Sequence, residues 1–504
     1  MRNKHITGII ARELAFKGAD AVADAVSNSM GPSGMNLLLE KGNTTTNDGM
    51  KISQHLADST ENEFERRGAL YQHAGSVKVE QLVKDSTSAY FSLSRGIRKA
   101  LLPYLPSSSV PIALKPVSEL RKQLKNEFEV VCEKLKEQVK PVKSREELIK
   151  SALVSVEDEE MAEMIGGTQW DLVQKTGDGI IKPQETAEYE SAIEQTSGIH
   201  MDNGFATALL INNPEKESLE INDTHILLTN YTIDSLTPLT PLLIDLKRQN
   251  KVVLSIFARA FTQQAMKEIS EWGMKGMFIA PINAPYTNQS QVFLDLGAVT
   301  GATYITDETK GLELINTKDI GFSKRLSCGR NESFISGAGD KDEEERVKLR
   351  VETLEKDLKA SNSEFYKDTI RERIAGLKGA YAILKVGSKT PEDRKRKYDK
   401  CEDAVGAVRN ALKSGTVKGA GIAFKEVADD LPNDFILKEP LYSINRQIMN
   451  SMPEGYEVPE WCRDPYISLI TALEIAIENS LNLSNVMAQD VSPNPDKLSE
   501  LLKR

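Results

Sequence analysis

Apolar residues recur at helical spacing from 8 to 29, where Ala15, Ala19, Val22, Ala23 and Val26 make a stripe of small side chains. That spacing predicts a helix. MNLLLEKG and then TTTNDGMKI read as two short strands joined by a turn, and residues 64 to 102 read as helical again. LPYLPSSSVPIALKP, 102 to 116, holds four prolines and three serines and reads as a loop. A charged amphipathic helix follows over 117 to 140. From about 141 the texture changes. Between 197 and 330 short apolar runs alternate with helix-like stretches: HILLTN, LTPLLIDLKRQ, KVVLSIFA, QQAMKEISEWG and GMFIAPI. Strand–helix alternation at this spacing predicts an α/β domain. A charged helix over 342 to 360 carries Val347, Val351, Leu354 and Leu358 on one face. A second helix, with Ile370, Ile374 and Leu377, completes a hairpin with one apolar seam. AYAILKVGS, 380 to 388, reads as a strand, and 398 to 413 and 465 to 490 as helices. The helical textures of the two ends resemble each other across the α/β block, the pattern of an inserted domain whose flanks fold together.

Composition narrows the function classes. With 504 residues the chain has room for two to four domains, and 40% apolar with 27% charged residues is an ordinary globular mix. A net charge of −10 and the lack of a basic patch interleaved with aromatics argue against a nucleic-acid partner. Cys132, Cys328, Cys401 and Cys462 stand far apart, so neither a zinc site nor a disulfide framework is expected, and a reducing, cytoplasmic setting fits. No apolar run approaches about 18 residues, so no membrane span is expected, and MRNKHITGIIARELAF lacks the apolar region of a signal peptide. His5, His55, His73, His200 and His225 show no ligand spacing. The charge run DKDEEER, 340 to 346, reads as a solvated helix start.

NSMGPSGMNLLLE, 28 to 40, breaks tightly between two ordered elements. It is either a turn or a place where backbone N–H groups approach a ligand. Four acidic residues stand beside turn or helix-start signals: Asp48 in NDG, Asp85 in KDSTS, Asp403 in CEDAVGAVRNAL and Asp464 in RDP. Singly, each reads as a turn residue or a helix N-cap. DSTS adds hydroxyls at a helix start, where the dipole and unpaired N–H groups favour an anion. A carboxylate inside a phosphate site calls for a cation, normally Mg²⁺ held by oxygen. SGTVKGAGIAF, 414 to 424, is a second small-residue break.

Taken in order, these stretches resemble the group I chaperonins, the GroEL family. SMGPSGMNLLLEK is similar to the family's phosphate loop, NDGMKI to its Lys-Asp-Gly turn, and KDSTSA to its Gly-Asp-Gly-Thr-Thr-Thr. CEDAVGAVRNALKSGTVKGAGIAF resembles its Glu-Asp-Ala helix and glycine run, and RDP its last acidic contact. GIHMDNGFATALLINNPE and RIAGLKGAYAILKVGS resemble the two ends of the apical domain, so the likeness spans nearly the whole chain. It implies a GroEL-like subunit, multidomain α and α/β. Its helical equatorial domain would join 1–137 with 414–504, its small intermediate domain 138–196 with 380–413, and its inserted α/β apical domain would be 197–379. It implies ATP and Mg²⁺ as cofactors. Ser29, Met30, Gly31 and Pro32 would lie along the nucleotide, Asn47, Ser86, Thr87, Ser88 and Ala420 beside it, and Asp464 at the ribose. Asp85 would hold Mg²⁺. Asp48 and Asp403 would face the γ-phosphate and polarise the attacking water, with Asp403 carried in by movement of the intermediate domain. Phe205, Leu209, Leu210, Leu242, Leu243 and Ile269 match the apolar residues that bind non-native proteins and then a lid co-chaperonin. From periodicity alone, Leu242, Leu243 and Ile269 equally suit the core of the α/β domain. The working unit implied is a homo-oligomeric ring, seven subunits in the family.

The chain departs from the family pattern at the phosphates. Lys84 and Ser86 replace the glycines beside Asp85, Ala89 the last threonine, Asn47 the lysine before Asp48, and Ala420 the middle glycine of the late run. A Cβ at such positions would push the backbone from the ligand, and Lys84 is a candidate to replace the lost lysine. Between Gly421 and Asp464 the chain is shorter than the family, which touches base recognition and ring–ring pairing, and LSELLKR lacks the family's Gly-Gly-Met tail. Two functions remain open: an ATP-driven folding chaperonin, or a client-holding ring with weak or lost ATPase. A phosphotransferase is a weaker third. Divergence of this depth suggests an unusual source, such as a virus-encoded copy.

Overall fold

A computed structural model describes residues 4–39, 44–107, 113–177, 179–186, 188–196, 198–201, 203–213, 218–285, 288–330, 333–361, 364–486 and 488–491. The terminal LSELLKR lies outside them. The chain divides into two compact units, residues 1–170 with 388–504, and residues 171–387. The two ends of the chain therefore fold together, and the middle of the chain makes a unit of its own.

The first unit is built on helices Ile9–Ser27, Glu63–Val83, Thr87–Leu101, Val117–Glu137 and Tyr466–Ser484, which share one apolar core. The small-residue stripe of Ile9–Ser27 has a packing reason. A Cβ on Gly18 would overlap the Glu65 carbonyl oxygen, and one on Gly68 would overlap that of Ala15. The two helices thus touch backbone to backbone. Arg98, fully buried, is held by Asp20 and by Gln72, each at 2.7 Å. Lys4–Thr7 pairs antiparallel with Ala488–Val491, and Thr416–Lys418 with Arg463–Pro465. Three boundaries differ from the sequence reading. The helical stretch 64 to 102 is two helices, parted at residues 84–86. The second strand of the early hairpin ends at Thr46, and Asp48 caps a helix, Gly49–Ser59, by accepting from the Met50 and Lys51 N–H groups at 2.7 and 3.1 Å. The last long helix stops at Ser484.

The second unit centres on a seven-stranded mixed sheet. Phe278–Asn283, Val253–Ala258, Leu219–Thr229 and Tyr304–Ile305 run parallel, while Gly321–Cys328, Ser333–Ile335 and Ile199–Met201 continue antiparallel on the other side of Leu219–Thr229. Its central strands are continuous apolar runs because both faces are covered. Leu227, Leu254, Ile256 and Ile279 face one core, and Ile226, Leu228, Phe257 and Ile282 the other. Helices Thr240–Arg248 and Gln263–Met274 cover the first face. Gln289–Thr300 and the hairpin Glu343–Ala360 with Glu364–Leu377 cover the second. Asp295, buried, anchors that hairpin by ion pairs to Arg350 and Arg373 at 2.7 and 2.6 Å. A small sheet joins Ile180–Glu185 and Ala192–Thr196 on either side of Tyr381–Val386.

This layering corrects the client-surface expectation for four residues. Leu242, Leu243 and Ile269 are buried against the sheet, and Phe205 lies in the opposite core. A helix covering a sheet must turn its apolar stripe inward, and these residues are that stripe. Of the six, Leu209 is 90% exposed and Leu210 is half-buried. The exposed apolar side chains of the two covering helices are instead Ile244 and Met274. Leu243→Ala should therefore act on stability, costing about 3 kcal/mol as a core truncation. A lower urea midpoint for the unfolding of this unit checks it.

Candidate functional site

The break at 28–34 is a turn whose glycines have separate reasons. Gly31 has φ 75°, a left-handed conformation, and a Cβ at Gly34 would overlap the Ser29 carbonyl oxygen. The Gly34 N–H donates to the Gly31 carbonyl and the Met35 N–H to that of Asn28, both at 2.9 Å. The turn forms one wall of a cavity of about 880 Å³ within the first unit. Thirteen residues singled out from the sequence line it: Ser29, Met30, Gly31, Pro32, Asn47, Asp48, Asp85, Ser86, Thr87, Ser88, Asp403, Ala420 and Asp464. They come from six separate stretches, and the tertiary fold alone brings them together.

Local structure explains their placement. Thr87 and Ser88 open the helix Thr87–Leu101, and their hydroxyls lie about 3.5 and 3.3 Å from where a Cβ on Gly49 would stand. The start of that helix thus lies beside the Asp48 turn. Asp403 rides on Pro391–Ser414, which is pressed against the Asp85 loop. A Cβ on Gly406 of that helix would overlap the Lys84 carbonyl oxygen, and the Asn410 side-chain amide donates to the Val83 carbonyl at 2.7 Å. Asp464 accepts from the Ala420 N–H, and so holds the late turn.

The substituted glycine positions keep a glycine-like backbone. Lys84, Ser86 and Ala420 have φ of 49°, 63° and 52°. The Cβ has not pushed the chain out of the left-handed region; the fold carries the strain instead, roughly 1–2 kcal/mol for each such residue. Lys84 is not among the lining residues. The lysine beside Asp48 is Lys51, one helical turn on, at 3.9 Å, and it is also ion-paired with Asp399. Lys400 pairs with Glu157 at 2.7 Å.

Nine carboxylates line the cavity against these two lysines. Burial, then Glu80, Asp85, Asp48 and Asp399, hold the Asp403 carboxyl well above the usual range. Its accessible face opens into the cavity. Burial pushes Glu80 up to about 7, with Glu402, Asp48 and Asp85 adding to it, and pushes Asp464 up to about 7, with Asp85 adding to it. Asp85 is raised by burial against the opposing hydrogen bonds of Ser468 and Ser86. A polyanion could enter such a site only with a cation. Among the described residues no group of three His, Cys, Asp or Glu could hold a metal alone. The oxygen-only donors fit a hard ion shared with a ligand's own oxygens.

Sequence reasoning missed the carboxylates Glu80, Glu157, Glu159, Asp399 and Glu402, the stretch Leu153, Val154 and Ser155, and one apolar wall. Ile444, Ile448, Tyr456, Val458, Pro459, Trp461 and Cys462 also line the cavity. The sequence signal was weak: YEVPEW sets two aromatics, a valine and a proline among two glutamates just before Asp464, with no period to show which side chains turn inward.

No protein-family model matches the chain. Among solved structures its fold is that of a chaperonin subunit. It is similar over its length to the chaperonin gp146 of bacteriophage EL 2 (Pseudomonas aeruginosa), with TM-score 0.70 and 18% identity over 97% of this chain and 99% of that one. A second crystal form of gp146 gives a TM-score of 0.66 at the same identity and coverage. Both gp146 crystals were grown in the presence of ATP-BeFx. Among the described residues no helix is long and apolar enough to cross a membrane.

Two outcomes follow from the strain and the crowding. Ala420→Gly should stabilise the protein by about 1 kcal/mol by relieving a left-handed Cβ, read as a raised urea midpoint. Glu80 binds its proton more tightly folded than unfolded, so its ionisation costs stability as pH rises from about 4.5 through about 7. In nucleotide-free, Mg²⁺-free buffer, the melting temperatures of wild type and Glu80→Gln should lie close near about pH 5, with the variant increasingly the more stable towards about pH 8.

Proposed function

We propose that this chain is the subunit of a divergent chaperonin ring that hydrolyses ATP and uses the cycle to assist the folding of non-native proteins. The observation that carries the reading is the meeting of the thirteen residues from six stretches in one acidic cavity. A metabolic site would need a second substrate pocket of its own, whereas this cavity carries the acidic and hydroxyl groups expected for one Mg²⁺-bound triphosphate. The likeness to a phage chaperonin crystallised with an ATP analogue supports the nucleotide and fits a virus-encoded origin.

In this reading Asp85 holds Mg²⁺, which supplies charge neutralisation of the phosphates. The Gly31 turn and the Thr87–Leu101 helix start offer N–H groups to phosphate oxygens, and Thr87 and Ser88 offer hydroxyls. Asp48 spends one carboxylate oxygen capping its helix and leaves the other, Oδ2, within 3.9 Å of Lys51. Asp403 positions and deprotonates the attacking water. Positive charge joining the cluster would offset the neighbouring carboxylates that raise its carboxyl, which ties its basicity to occupancy of the site. Residues 1–137 and 414–504 act as the equatorial domain, 138–196 with 380–413 as the intermediate domain, and 197–379 as the apical domain. Clients are captured on exposed apical apolar groups, Leu209 first, with the half-buried Leu210 beside it. A seven-membered ring and a lid co-chaperonin belong to the same reading. The left-handed geometry kept at 84, 86 and 420 disfavours the alternative of a client-holding ring with a decayed ATPase.

Asp403→Ala should lower steady-state ATP turnover by about 100-fold or more while ring assembly and ATP binding persist. Turnover assays with particle images of the same samples test this. Wild-type rings that bind clients without hydrolysing ATP would establish the holding ring instead.

A further inference from the structure

Away from the acidic cavity, the first unit carries a groove of about 510 Å³ beside the strand Ala488–Val491. The helices Ile9–Ser27, Glu63–Val83 and Tyr466–Ser484 contribute to its lining. Its floor is apolar: Ala15, Gly68 and Leu483 are buried there, and Leu70 and Val486 are half-buried. Its rim is open. Tyr71 keeps 40% of its surface exposed, and Ala74 and Ala488 are exposed. The Asn482 side-chain amide donates to the Tyr71 hydroxyl at 3.0 Å, and Arg121 donates to the Asn482 side-chain oxygen at 3.1 Å. The tyrosine ring is thus held as a wall of the groove. One polar group lining the groove is unsatisfied. Gln489 is 8% exposed, and its side-chain nitrogen donates to the Ala11 carbonyl. Its other polar atom, Oε1, is buried and has no hydrogen-bond partner. A buried acceptor left without a donor is costly, so the groove calls for a donor as well as for apolar atoms.

The chain beyond Gln489 can supply both. The strand runs to Val491, two residues on, and SPNPDKLSELLKR, 492–504, follows outside the described residues. Ser-Pro and Asn-Pro are turn signals, and the four residues 492–495 reach about 13 Å at most. Such a turn can return the chain from the end of the strand to the groove. Asp496 is a helix-start residue, and Leu498, Leu501 and Leu502, at i, i+3 and i+4, share one helical face. Lys497 and Ser499 flank that face, and each carries a donor. A tether this short makes the docking intramolecular, at an effective concentration on the order of millimolar. No separate partner has that advantage.

We propose that residues 496–504 form a helix that folds back into this groove of the same chain, its three leucines against Leu70, Tyr71 and Val486 and a donor from its flank on Gln489 Oε1.

The test is amide hydrogen exchange on the full-length protein, as wild type, Leu501→Glu and Ala74→Glu. The free peptide SPNPDKLSELLKR is the reference, since a helix this short is not stable alone in water. In the wild type the amides of 500–503 should exchange about 100-fold or more slowly than in the peptide. Each substitution should bring them to within about tenfold of the peptide rate. Exchange within Glu63–Val83 should stay as in the wild type, because Ala74 is an exposed helix position and glutamate suits a helix. A second readout locates the segment: oxidising the double variant Ala74→Cys with Leu501→Cys should link the two introduced thiols, as found by peptide mass mapping. When ordinary and ¹⁵N-labelled chains are refolded together, each linked pair should carry a single isotope. Wild-type amides that exchange at the peptide rate would overturn the proposal. Protection that Ala74→Glu leaves unchanged, or no link between the introduced thiols, would place the segment elsewhere and overturn it too. Links that pair ordinary with labelled peptides would put the segment in a second copy's groove and overturn the dock within one chain.

Discussion

The contact on which the site depends is the seating of Gly406 against the carbonyl of Lys84. A side chain there would lift Pro391–Ser414 off the Asp85 loop. With glycine the helix lies close enough for Asn410 to bond the Val83 carbonyl. Asp403 is thereby brought in among Asp48, Glu80 and Asp85. Charge repulsion in a poorly solvated cavity is costly, and a fold would not gather these carboxylates without a compensating partner. The lysines present, Lys51 and Lys400, are already committed to Asp399 and Glu157. The site is thus poised for added positive charge, and the same crowding that penalises the free protein makes occupancy favourable.

The strained residues around the cavity belong to this arrangement. Lys84, Ser86 and Ala420 each place a Cβ in a backbone region suited to glycine. The Lys84 carbonyl is pinned by Gly406, Ser86 donates its N–H to Asp85 at 2.6 Å, and Ala420 donates to Asp464. The surrounding contacts over-determine the loops, so the substitutions cost energy without moving the backbone. Lost glycines in a phosphate loop therefore do not by themselves mean a lost loop geometry.

Much of the architecture was legible in the chain. Short apolar runs such as HILLTN and KVVLSIFA, alternating with helix-like stretches, marked the α/β unit, and the seam Val351, Leu354, Ile370, Ile374 is the contact line of the helical hairpin. Asp48, Asp85 and Asp464 were legible too, because each stands beside a turn or helix start; Asp403, inside Pro391–Ser414, was legible only through the family resemblance, and Glu80, Asp399 and Glu402, also within helices, carried no local signal. The client surface was not. Leu242, Leu243 and Ile269 have the spacing of an apolar face, and spacing cannot say whether a face meets a sheet or a solvent-exposed groove. Tyr456 and Trp461 went unread for the converse reason, since a short irregular segment has no period to reveal which way its side chains turn.

The sequence by itself determined most of the local elements and the turns that need Gly31 and Gly34, because each follows from interactions within a few residues. Only the tertiary structure decided that six distant stretches share one cavity, that Lys51 rather than Lys84 stands by Asp48, and that four apolar residues are core. Those outcomes depend on close approaches between remote helices, at Gly18 with Glu65, Gly68 with Ala15 and Gly406 with Lys84. A missing side chain permits such contacts, but nothing local in the sequence names its partner.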